Sequence, residues 1–121
     1  MKKISISELN PKANNGRSSL LYEAVGLTGA IEYAHFSIAK TVLNPGAVVE
    51  KHYHKKSDEF YLVTNGRGQM QVNQDTFTVS PGDLLLIQPD EWHQLTAVGN
   101  DDLEFFAITR PAYSPDDYLT E

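Results

Sequence analysis

The chain has 121 residues and no cysteine, which excludes disulfides, thiolate metal ligands and thiol nucleophiles. Ten basic residues against sixteen acidic ones give a net charge of −6, and from residue 61 onward only Arg67 and Arg110 oppose ten carboxylates. Nucleic acids and anionic membranes, which need clustered cations, are therefore not expected as partners. Met1 to Ile6 has two lysines but no apolar stretch behind them, so the reading is a cytoplasmic chain without a signal peptide. Residues 10–18 are polar and turn-rich and read as a loose lead-in. A period-two run then starts at Ile31 and continues to Leu43, where Asn44-Pro45-Gly46 breaks it. Further strands are expected over 48–54, 60–64, 69–72, 76–79, 84–87, 93–98 and 103–109. Asn65-Gly66 between two of them is a hairpin signal. The aliphatic run Leu84 to Ile87 is far too short to span a bilayer. The acidic tail 111–121 carries Tyr113 and Tyr118 and either docks or stays mobile.

No stretch shows helical periodicity. Short strands about ten residues apart are the pattern of an antiparallel sandwich or barrel, so the chain reads as one all-β domain spanning 1–121. The barrel core is expected at about 30–110, flanked by an N-terminal strand and the tail.

His52 and His54 are alternate residues on an expected strand, so both project from one face about 6.6 Å apart. That separation lets two imidazoles reach one ion, although His-x-His is also what two polar residues on an exposed face look like. Glu59 opens the apolar run Phe60-Tyr61-Leu62-Val63, where a lone carboxylate is costly unless paired or metal-bound. It could equally sit at the rim beside Lys55 or Lys56. His93 follows Trp92 after a tight segment and is either a further ligand or a surface histidine leaning on that ring.

The spacing of these residues resembles the cupins. Their first motif is Gly, five residues, His-x-His, three or four residues, Glu, six residues, Gly; here Gly46, His52, His54, Glu59 and Gly66 fill every fixed position. Their second motif keeps its frame from Gly82 to His93, with Gln88 for the motif proline, Asp90 for the motif glycine and Ala97 for the motif asparagine. The resemblance implies a double-stranded β-helix, or jelly-roll barrel, with His52, His54, Glu59 and His93 binding one divalent ion in its mouth. Three nitrogens and one carboxylate suit Fe, Mn, Ni, Cu, Co or Zn.

Period two places Tyr61 inward with Glu59, where it would serve as a general base or hydrogen-bond donor, or simply pack in the barrel. It also puts Glu50 on the face of His52 and His54, and nominates Tyr33, His35, Met70, Trp92 and Phe105 as pocket wall or barrel filler. Arg110 either clamps a substrate carboxylate, caps the sheet end or pairs with the acidic tail. The function expected is a metal-dependent enzyme, of dioxygenase or lyase type, acting on a small oxygen-rich molecule. The His-Tyr-His step and Tyr61 also resemble small cupins that cleave dimethylsulfoniopropionate, which have three residues rather than four before the glutamate. The alternatives are a sugar isomerase or epimerase, and a barrel that binds a sugar or carboxylate without turnover. Phe60 and Leu62 point outward, and such apolar sheet surface is usually covered, so a homodimer is expected, with residues 1–10 crossing between subunits.

Overall fold

The computed structural model describes residues 1–14 and 19–121. Its strands are β1 (Lys12–Asn14), β2 (Ser19–Gly26), β3 (Ile31–Glu32), β4 (Ser37–Leu43), β5 (Val48–His52), β6 (Asp58–Asn65), β7 (Arg67–Val72), β8 (Asp75–Val79), β9 (Leu84–Ile87), β10 (His93–Val98) and β11 (Leu103–Arg110). Two sheets form, one ordered β1-β2-β4-β11-β6-β9 with β3 beside β2, the other β5-β10-β7-β8. All pairings are antiparallel except β2 with β3. The only helical pieces among the described residues are short 3-10 turns at Ile6–Glu8 and Pro115–Asp117, and no helix is long and apolar enough to cross a membrane.

From Val48 onward the strands fall where the alternation puts them, and β6 and β10 show it most clearly, burying one face and wetting the other. In β6 Glu59, Tyr61 and Val63 are buried, and in β10 His93, Leu95 and Ala97 are. The β6–β7 hairpin turns at Gly66, whose φ of +76° suits glycine and where a Cβ would collide with the main-chain carbonyl of Asp102. Asp90 takes φ +71°, the left-handed turn conformation that a glycine would otherwise supply.

The N-terminal third differs from expectation. Within the expected lead-in, residues 12–14 form β1 and pair with β2, while 15–18 lie outside the described residues. β2 itself is not legible as a strand, since Leu20-Leu21-Tyr22 is apolar on both faces. Residues 1–10 contain a 3-10 turn rather than a strand. The run expected from Ile31 to Leu43 breaks at Tyr33, whose N–H turns back to Gly26 O and whose ring packs edge-on against His35 and Phe36.

Both sheets contribute to one core of Leu43, Val63, Met70, Val79, Leu95, Leu103 and Phe105. These large side chains fill one end of the barrel. At the other end the inward positions of β4 and β11 are small, with Ser37 opposite Thr109 and Ala39 opposite Ala107. Little there fills the space, so that end holds a cavity of about 300 Å³.

Candidate metal centre

His52 ends β5, His93 begins β10, and the two are direct partners across that ladder. Glu59 enters from β6 in the opposite sheet, while His54 lies just beyond β5 in the turn that joins the sheets. Each of the four can offer one ligand atom such that all lie within 4.8 Å of one another, and all four residues are buried.

The histidine tautomers follow from their neighbours. His52 Nδ1 lies 2.8 Å from Glu50 O, His93 Nδ1 lies 2.9 Å from Glu91 O, and His54 Nδ1 meets Asp117 O. A carbonyl can only accept, so in the neutral rings Nδ1 carries the proton and Nε2 keeps its lone pair for the centre. His54 Nε2 and His93 Nε2 each stand 3.4 Å from Glu59 Oε1, and none of these three buried atoms has a hydrogen-bond partner among the described residues. Buried polar atoms are rarely left so, and a shared cation satisfies all of them. The donor set fits a divalent transition ion.

Burial and close packing set the electrostatics of the group. Burial, with the nearby His93, lowers the His52 pKa to about 4. Burial alone would raise Glu59, but contacts from His54 and His93 outweigh it and hold the carboxyl at about 2. His54 is raised, its burial being overcome by Glu59 and then by the Asp117 carbonyl. Burial, with the charge of Glu59 beside it, pushes the Tyr61 phenol well above its usual range.

The cavity above this group is walled by Leu21, Val25, Ala39, Val49, Phe105 and Ala107, with hydroxyls from Thr41, Tyr61, Thr109 and Tyr118. Phe105 and Tyr61 pack on each other at 4.6 Å between ring centroids, and both line it. The other nominated pocket residues lie elsewhere. Tyr33 and His35 are exposed in the bend after β3, and Met70 is wholly buried in the filled end of the barrel. Trp92 packs outside against Tyr53, with the Lys51 ammonium 5.8 Å from its ring. Glu50 is exposed and accepts a hydrogen bond from Tyr118. A register shift in the β5–β10 ladder accounts for it: His93 pairs with His52 but Leu95 with Val49, so Val49 takes the inward place that strict alternation assigns to Glu50. Arg110 pairs with Asp58 on the surface.

Two groups were not recognised from the sequence as site residues. Leu21, Glu23 and Val25 come from the unrecognised β2, where Glu23 holds Lys12 at 2.9 Å and accepts from Thr28 at 2.7 Å. Tyr113 and Tyr118 come from the tail, as does the buried Asp117. No local pattern marks them, and only the fold brings them to the site.

Residues 39–109 match the family model for the cupin domain. An uncharacterized protein of Methanocaldococcus jannaschii is 32% identical over 81 residues, covering 67% of this chain and 65% of that one, so the chain spans just under two thirds of that relative. The oxalate-binding protein of Thermotoga maritima is 30% identical over 94 residues, covering 69% of this chain and 78% of that one. Among solved structures, a predicted oxalate decarboxylase of Thermotoga maritima superposes with a TM-score of 0.80 at 24% identity, over 91% of this chain and 99% of that one. With both histidine-bearing strands inside the matched segment and the jelly-roll architecture shared, the chain belongs to the cupin domain family.

Proposed function

We propose that this cupin binds one divalent transition-metal ion through His52, His54, Glu59 and His93 and uses it to act on a small oxygen-rich molecule, by dioxygenase or lyase chemistry. The observation that carries the reading is the convergence of buried, unpartnered Nε2 and carboxylate atoms at the floor of a cavity of about 300 Å³. An ion there would supply Lewis acidity or a redox centre for an oxygen-bearing substrate. The chain's own residues do the rest. Tyr61 offers a phenolic proton beside Glu59, Thr41 and Thr109 add hydroxyls, and the apolar walls exclude water from the carbon skeleton. The chain acts in this reading as a cytoplasmic homodimer.

A second reading, binding without turnover, is favoured by the Thermotoga maritima relative described as oxalate-binding. Elemental mass spectrometry on untagged protein purified without chelator is the test, followed by oxygen-uptake and elimination assays on small hydroxy and keto acids. About one equivalent of metal per chain with turnover supports the enzyme. Metal-dependent binding without turnover supports the second reading, and no metal, with none taken up on titration, overturns both.

A further inference from the structure

The C-terminal segment 114–119 runs beside the metal ligands. β5 pairs with β10 along one edge, and the C-terminal segment lies along the other at its His52 end. The tail takes that edge just past β5: Tyr53 N–H donates to Leu119 O at 2.9 Å, and Leu119 N–H donates to Tyr53 O at 3.0 Å. Tyr118 lies flat on the His52 ring, 4.2 Å between centroids and 19° between planes, and its hydroxyl donates to Glu50 at 2.9 Å.

Asp117, only 5% exposed, binds the neighbouring turn from both of its ends. Its carboxylate accepts the N–H groups of Lys55, Lys56 and Ser57 at 2.8, 3.0 and 3.1 Å, and the Ser57 hydroxyl at 2.7 Å. Its main-chain carbonyl accepts from His54 Nδ1. Those contacts hold three of the four residues that link His54 to Glu59. One side chain thus shapes the loop joining two ligands, while its own backbone orients one of them.

We propose that segment 114–119 is a strap that positions the metal ligands, with Asp117 as its anchor, so that metal loading and strap docking stabilise each other. This rests on the metal centre proposed above. A partner that orients a ligating histidine is worth roughly 10–100-fold in metal affinity, and coupling between two binding events is reciprocal. The ion should therefore hold the strap down as firmly as the strap holds the ion.

The test uses cobalt(II), whose visible absorption reports ligand geometry, on the wild type, Asp117→Ala, Leu119→Pro and a chain truncated after Tyr113. Competition titration should show cobalt held about 10–100-fold more weakly in the truncated chain, which loses the carbonyl partner of His54, and more weakly than in the wild type in Asp117→Ala, which loses the carboxylate anchor of the strap. Their visible bands should shift, and Leu119→Pro, which removes the N–H donor to Tyr53 O and fixes the backbone at 119 but leaves Asp117 in place, should fall between them and the wild type. Chymotryptic cleavage at Tyr118 of the wild type should slow on metal loading, a readout that needs no variant to fold. Folded variants with wild-type affinity and spectrum would overturn the coupling, as would cleavage indifferent to metal. Wild-type protein that takes up no cobalt would instead refute the metal centre, and the coupling with it.

Discussion

His52 and His93 face each other as direct partners across the β5–β10 ladder, with ring centroids 4.1 Å apart. The two rings are carried by one pair of strands, while Glu59 reaches them from the opposite sheet. The centre is therefore a clamp between sheets, and its geometry depends on the barrel being closed.

Replacing either ring should release the ion. His52→Ala and His93→Ala are each expected to lose most bound metal, measured by elemental analysis. An ion at a hundredfold excess over its Kd adds about 2.7 kcal/mol to stability. The metal-loaded wild type should thus melt several degrees above its metal-free form, whereas both variants should show almost no metal-dependent change in Tm.

The metal-free protein should lose stability on acidification. A histidine normally titrating at 6.5 but held at about 4 binds its proton more readily in the unfolded chain, so His52 costs stability as pH falls from 6.5 towards 4. Glu59, held at about 2 rather than 4.5, contributes stability that is complete above 4.5 and is lost as pH falls towards 2. The two windows adjoin and have the same sign. Thermal melts of chelator-treated protein should show Tm falling throughout this range, and His52→Gln should flatten the upper part alone.

Tyr61→Phe tests the phenol. The hydroxyl is no ligand of the proposed centre, so metal content and fold should be unchanged. Turnover is expected to fall by about 100-fold or more if the phenol moves or holds a proton. An unchanged kcat would leave Tyr61 as packing against Phe105.

The outer face of the larger sheet pairs Phe60 with Leu86 and Leu62 with Leu84 across β6 and β9, and Phe60, Leu84 and Leu86 are 38%, 61% and 50% exposed. We propose this as the surface that a second copy covers. Sedimentation at micromolar concentration should give a dimer for the wild type and a monomer for Leu86→Lys. A wild-type monomer would refute it.

The local sequence determined the strands from Val48 to Thr109, the Gly66 turn and the four candidate ligands, because period two, turn chemistry and ligand spacing are all written over a few residues. Tertiary structure decided the rest. β2 pairs with β4 through a stretch that is apolar on both sides, so alternation could not reveal it. Glu50 and Val49 exchanged places through a register shift that exists only between paired strands. Tyr33 and His35 left the expected strand for an aromatic cluster in a bend, and Asp117 reached His54 across 63 residues. Contacts at such distances form only once the chain has closed, and no short window of residues contains both partners.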